Sequence, residues 1–330
     1  MINNVIELIG NTPLIKLKFP SEITGCNIYG KAEFLNPGGS IKDRAALAIV
    51  NDAEKNNNIE KNGYIIEGTA GNTGIGLTLI ANAKGYNSVI VMPETQTQEK
   101  IDTLKSMGAD LRLVPAKPYK DPDNYVKYSK RLAEEFNNKT NGNAIWANQF
   151  DNTANLMGHY KYTGKEILKQ TNGSIDAFIC SSGTGGTIAG VSKALKEYNK
   201  NIKVYLADPK GSALFNYIKS QELIMEGSSI TEGIGSSRIT SNFAEAQIDD
   251  AYSITDEEAF PIIYQLIKSE GLSLGTSSGI NIAGAIKLGK ELGRGKTIIT
   301  ILCDLADRYK SKIFNKKILK DKNISIPDWL

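Results

Sequence analysis

Seven short, mostly apolar and β-branched runs, YIIEG, SVIVMP, DLRLVP, NAIWAN, DAFICSS, KVYLADP and TIITILCD, are spread along the chain and separated mostly by segments of helical length. Runs of this kind suit strands buried on both faces, with the intervening helices as the cover, so the pattern predicts an α/β chain built on parallel sheet. Apolar spacing predicts helices over Ile41–Asn56, Ile75–Lys84, Lys100–Met107, Tyr125–Phe136 and Glu257–Ile267. The turn-rich stretches Lys117–Asp123 and Asn137–Asn143 read as loops, the second near a domain edge. A length of 330 residues admits about two domains.

Four Gly-rich or Ser-rich turns carry the chemical information. In Asn36-Pro-Gly-Gly-Ser-Ile-Lys-Asp-Arg44, Ser40 and Asp43 resemble a capping box and place Lys42 in the first turn of a helix. The partial positive charge there repels an ammonium, and lysine is the residue that condenses with carbonyls, so Lys42 is either a reactive amine or a surface lysine. In Glu67-Gly-Thr-Ala-Gly-Asn-Thr-Gly74 a strand runs through small and hydroxyl residues into a helix. That is an anion nest with Thr69, Asn72 and Thr73 as extra donors, or else a plain βα connection. Ser181-Ser-Gly-Thr-Gly-Gly-Thr187 follows another strand and reads as a phosphate cradle by the same physics, or else as a plain Gly-rich βα turn. It is not a dinucleotide fingerprint, which needs Gly or Ala where Ile188 stands, and no Gly-Lys pair makes a Walker loop. The fourth turn, Gly275-Thr-Ser-Ser-Gly279, matches the nucleophile elbow of hydrolases around Ser277. Its only available histidine is His159, which reads more simply as structural.

Other classes find little support. Lys and Arg exceed Asp and Glu by 39 − 36 = 3, too little for a nucleic-acid footprint. The seven basic residues between Arg308 and Lys322 are interleaved with Ile313, Phe314, Ile318 and Leu319 and read as a solvated amphipathic tail. Uncharged runs such as Gly68–Ala83 are too short and polar to span a bilayer, and the start MINNVIELIG lacks the layout of a secretory signal, so a cytoplasmic protein is expected. Cys26, Cys180 and Cys303 read as reduced, mostly buried thiols, and one histidine with no C-x-x-C or H-E-x-x-H leaves no basis for a zinc site.

A lysine in a helix start, an anion nest, a phosphate cradle and an isolated serine turn, in this order, resemble the cysteine synthase and cystathionine β-synthase family, the fold type II pyridoxal phosphate enzymes. The likeness runs from IGNTPLIKL at Ile9–Leu17 to the tail after Arg308-Tyr309. It implies a parallel-sheet large domain, 1–40 plus 146–330, a smaller inserted α/β domain, 41–145, and a homodimer acting on small amino acids. It also implies that Lys42 attaches the cofactor and later moves the substrate α-proton. Asn72 would meet the cofactor phenolic oxygen, Gly183, Thr184, Gly185, Gly186 and Thr187 its phosphate, and Ser277 its pyridine nitrogen. Thr69, Ala70, Gly71, Thr73 and Gln149 would form the substrate side.

Two positions depart from the sulfhydrylase pattern. Ala70 stands where that loop usually carries serine, and Glu232, in Ile230-Thr-Glu-Gly-Ile-Gly235, where a glutamine is usual and cystathionine β-synthases carry glutamate. Sulfide needs no charged recognition, whereas an amino-acid nucleophile does, so Glu232 with Arg238 is a candidate for it, or both are loop-surface charges. The TEGIG loop and the closing IPDWL also resemble cysteine desulfhydrases. The expectation is therefore consumption of L-cysteine with release of hydrogen sulfide, ahead of cysteine synthesis from O-acetylserine and then cystathionine formation.

Overall fold

A computed structural model describes residues 1–330 and contains ten strands. They are β1 (Leu14–Lys16), β2 (Asn27–Ala32), β3 (Tyr64–Gly68), β4 (Asn87–Pro93), β5 (Asp110–Val114), β6 (Ala144–Trp146), β7 (Ala177–Cys180), β8 (Lys203–Pro209), β9 (Asp250–Ile254) and β10 (Thr297–Leu302). One sheet has the order β1-β2-β10-β7-β8-β9 and is parallel except for β1, which runs antiparallel to β2. The other, β5-β4-β3-β6, is entirely parallel and drawn wholly from residues 64–146. All seven runs named above are strands. No helix is long and apolar enough to cross a membrane.

Side chains alternate faces along a strand, and β10 shows how this builds two cores. Ile298 and Leu302 enter a cluster with the helices Asp256–Glu270 and Thr276–Leu292, while Ile299 and Ile301 enter another with the helix Gly186–Tyr198. Thr300 is tolerated between them because its hydroxyl donates to the Ile179 carbonyl at 2.7 Å. Each such isoleucine is fully or almost fully buried, and burial of that kind is worth about 1.5–3 kcal/mol per side chain. The smaller sheet is covered on one side by the helices Lys42–Lys55 and Asn72–Lys84 through Ile49, Val50, Leu77 and Ile80, and on the other by Tyr125–Lys139 through Leu132 and Ala133.

Three expectations change. The helix from Tyr125 continues to Lys139, three residues into the stretch read as a loop, before Asn141 takes a left-handed turn. No capping box forms at Lys42, because Asp43 Oδ2 accepts from Gly38 N at 2.6 Å and Ser40 Oγ only from Lys42 N at 3.2 Å. The basic tail is not simply solvated. Tyr309, Ile313, Leu319 and Ile324 are core residues, and Arg308 and Lys312 point inward.

Candidate active site

The carboxyl ends of parallel strands from both sheets converge on one cavity of about 410 Å³, the usual place for a ligand in an open α/β sheet. Lys42 lines it as the first residue of its helix, so the sequence placed it correctly although the cap differs. The helix is fixed from behind by Arg44, whose guanidinium meets Glu33 at 2.7 and 2.9 Å and Glu166 at 2.7 and 2.8 Å. Glu33 and Arg44 are buried, and removing one partner of such a pair costs about 3–5 kcal/mol. The turn before Lys42 is closed by Asp43, whose carboxyl burial pushes up to about 7.

Opposite lies the turn after β7. Gly185 has φ +87°, which favours glycine, and leads straight into the helix Gly186–Tyr198, whose first N–H groups have no helical acceptor. A Cβ would lie 2.4 Å from the Gly233 oxygen at Gly183, 2.4 Å from the Phe243 nitrogen at Gly185 and 2.1 Å from Asn155 Oδ1 at Gly186. Asn155 also donates to Thr184 Oγ1 at 3.1 Å. His159 is buried, lies 3.3 Å from Thr187 Oγ1 through Nε2 and 2.9 Å from Thr163 Oγ1 through Nδ1, and burial drives its pKa down to about 3. Both ring nitrogens are therefore engaged away from Ser277, which ends the hydrolase triad. Ser277 sits at the start of the helix Thr276–Leu292, in the cavity wall with Lys42 and Cys303.

The turn after β3 forms the third wall. Gly71 takes φ +129° over the Lys100 side chain, and its N–H donates to Thr69 Oγ1 at 3.0 Å. Thr73 Oγ1 donates to Gln149 Oε1 at 2.5 Å, bringing together two residues 76 positions apart. Asn72 is held at both ends of its amide: Nδ2 donates to Asp304 at 2.6 Å and Oδ1 accepts from Arg308 at 2.6 Å.

A matching family model, described as pyridoxal-phosphate dependent enzyme, spans residues 5–304. The chain belongs to this family. It is 49% identical over 329 residues to a Neurospora crassa protein named cysteine synthase 1, covering 98% of this chain and 86% of the relative. Among solved structures it resembles a hydrogen sulfide-producing enzyme from Fusobacterium nucleatum, with TM-score 0.83 and 36% identity over 94% of this chain and all of the other. It also resembles an O-acetylserine dependent cystathionine β-synthase from Helicobacter pylori, with TM-score 0.85 and 33% identity over 94% and 98% of the two chains.

The residues present fit the cofactor of a pyridoxal-phosphate dependent enzyme. Gly183, Gly185 and Gly186 have no room for a Cβ, so the turn's backbone N–H groups lie bare, and the helix N-terminus that follows suits a phosphate dianion. Lys42 and Ser277 border the same cavity, sharing it with Thr184 and Asn72.

Sequence reasoning missed the groups that surround Glu232. Glu232 is buried and lines the cavity, with Oε2 at 2.5 Å from Lys100 Nζ and Oε1 bonded to Lys312. Lys100 is itself 1% exposed and stands 4.3 Å over the Tyr309 ring. With its amide turned so that nitrogen faces these acceptors, Gln96 donates to Ala70 O and Glu232 Oε2 at 3.1 Å each. Arg238 lines the same cavity as Glu232, but its guanidinium is already paired with Asp151 at 2.8 and 3.0 Å and stands 4.5 Å from the Tyr119 ring. The signal for Lys312 lay in the basic tail, where a lysine facing inward looks like its solvated neighbours.

Proposed function

We propose that the chain consumes L-cysteine and releases hydrogen sulfide, a second cysteine replacing the thiol to give lanthionine, or water completing an elimination to pyruvate and ammonia. The observation that carries this reading is Glu232, a buried carboxylate in the cavity wall flanked by two lysines. Sulfide needs no charged partner, whereas the ammonium and thiol of an incoming amino acid do. The likeness to the Fusobacterium nucleatum hydrogen sulfide-producing enzyme supports it.

Bound pyridoxal phosphate supplies an electron sink for charge developing at the substrate α-carbon. Lys42 would attach the cofactor, and its Nζ would take the substrate α-proton. Gly183, Thr184, Gly185, Gly186 and Thr187 hold the phosphate, and Asn72 offers its remaining Nδ2–H to the phenolic oxygen. Thr69, Ala70, Gly71, Thr73 and Gln149 hold the substrate carboxylate at the start of the helix Asn72–Lys84. Ser277 meets the pyridine nitrogen with a neutral hydroxyl, which does not hold it protonated as a carboxylate would, and so favours loss of the β-substituent over transamination. Glu232 receives the ammonium or thiol proton of the incoming cysteine. Residues 1–40 with 146–330 form the cofactor domain and 41–145 a mobile one, in a cytoplasmic homodimer without nucleic-acid or membrane partners; the separate sheets support the division.

The test is incubation of purified protein with L-cysteine alone, measuring sulfide and identifying the product by mass spectrometry. Sulfide with lanthionine or pyruvate is expected. Turnover confined to O-acetylserine plus sulfide would instead establish cysteine synthesis, a reading that the 49% identity to a cysteine synthase favours.

A further inference from the structure

Strand β3 places an acid where no cation meets it. Glu67 is 0% exposed at the centre of the smaller sheet, takes part in no salt bridge, and leaves Oε2 without a hydrogen-bond partner. Its Oε1 accepts the Gln149 backbone N–H at a long 3.4 Å, with the Gln149 side-chain amide and the Asn148 N–H also near the carboxyl. From the loop after β6 the groups facing it are Asn148 and Gln149. From the helix Tyr125–Lys139 it is the Tyr125 phenol, itself pushed up to about 12 by burial, and on β4 the register partner is the apolar Ile90. Arg238 acts on Tyr125 and not on Glu67. A carboxyl so placed favours its neutral form.

We propose that Glu67 serves as an un-ionised carboxylic acid behind the carboxylate-binding wall, positioning Gln149 while keeping negative charge away from the bound substrate. This rests on the reading that Thr69, Thr73 and Gln149 hold the substrate carboxylate. Gln149 has its Oε1 taken by Thr73 and one Nε2–H directed at the Gly68 carbonyl at 3.3 Å, and the same amide acts on the Glu67 carboxyl, which ties the orientation of Gln149 to that acid. An ionised Glu67 would face that anion across a water-poor interior, where like charges repel strongly. Burial pushes the Glu67 carboxyl up to about 8, with hydrogen bonds from Gln149 and Asn148 opposing. Anion binding and Glu67 ionisation therefore oppose each other, and by reciprocity affinity is full below about pH 8 and falls as pH rises through it. If the bound anion raises the Glu67 pKa by one unit, the fall is about tenfold.

The experiment uses the holoenzyme and propionate, an unreactive carboxylate of constant charge above pH 6. Its dissociation constant is read from the perturbed cofactor absorption between pH 6.5 and 9.5. Wild type should weaken about tenfold with a midpoint near 8, whereas Glu67→Gln should lose that component and retain only the slope contributed by other cavity groups. Equal slopes in the two proteins overturn the proposal. Should the glutamine variant not fold, Glu67→Met, also uncharged, takes its place. Thr73→Val separates the two ideas. If Thr73→Val binds propionate as tightly as wild type, the carboxylate reading fails and Glu67 with it. If Thr73→Val loses propionate while Glu67→Gln keeps the wild-type slope, the reading stands and Glu67 alone is refuted.

Discussion

The glycine turn at 183–187 and the wall facing it, which we propose to hold the phosphate and the substrate carboxylate, are built by opposite means. The cradle is contiguous, residues 183–187 on one turn and one helix, and its precision comes from glycines closed in by Gly233, Phe243 and Asn155. The wall is assembled from Thr69–Thr73, Gln96, Lys100, Gln149, Glu232 and the segment Asp304–Lys312, and held together by side-chain hydrogen bonds and ion pairs. A steric cradle fails abruptly when an atom is added. A wall of polar links fails by degrees, and its parts can be tuned separately, which suits the side of a site that must distinguish substrates.

Lys42 stands between the two and belongs to neither, so it sets the upper limit of any effect. Lys42→Ala should lower turnover by roughly 10³-fold or more with the fold intact, and borohydride should fix the cofactor to the Lys42 peptide of wild type. A colourless wild-type protein would remove the chemistry from both regions. In the cradle, Gly186→Ala puts a Cβ against Asn155 Oδ1 and should weaken cofactor binding roughly 10- to 100-fold, from an overpacking cost of about 1–3 kcal/mol. Equilibrium dialysis of pyridoxal phosphate checks it, and unchanged affinity would show that the cradle yields as the wall does.

On the wall, Glu232→Gln should leave cofactor affinity unchanged and still release sulfide from cysteine, but add the second amino acid roughly tenfold more slowly. That is the loss of a charge-assisted hydrogen bond worth about 1.5 kcal/mol. The ratio of pyruvate to lanthionine reports it, and an unaltered ratio removes Glu232 from the mechanism. The smallest change is expected of Lys312→Met, which breaks a partly exposed ion pair worth at most about 1 kcal/mol and should raise KM up to about fivefold. An effect confined to cofactor binding would contradict the division drawn between the regions.

The same division explains what the sequence disclosed. Short-range features were legible: the runs that became β3 to β8 and β10, and the cradle, whose glycines sit beside one another. Strand β2 escaped notice because NIYGKA contains Gly30 and Lys31, and Lys31 is tolerated in the interior by distant partners: Glu166 at 2.8 Å from 135 positions away (166 − 31), Gln170 at 3.2 Å and the Thr12 carbonyl. Strand β1 offers only Leu14 and Ile15 before Lys16. Glu232 was visible as an unusual residue in a recognisable loop. Its lysines were not, since nothing local marks Lys100 or Lys312 as buried or cavity-facing.

The position of β10 bears on how the chain is made. Synthesised last of the ten strands, it lies in the middle of its sheet, between β2 and β7. The smaller sheet is complete once residue 146 has emerged, whereas the larger waits for residue 302, which is 302 − 146 = 156 residues later. At about 5–20 residues per second, the 302 − 180 = 122 residues made after β7 leave the facing edges of β2 and β7 unpaired together for roughly 6 to 24 s. During that interval each edge is a template for a neighbouring polypeptide, so the ribosome-bound protein should need a holding chaperone more than the finished one does.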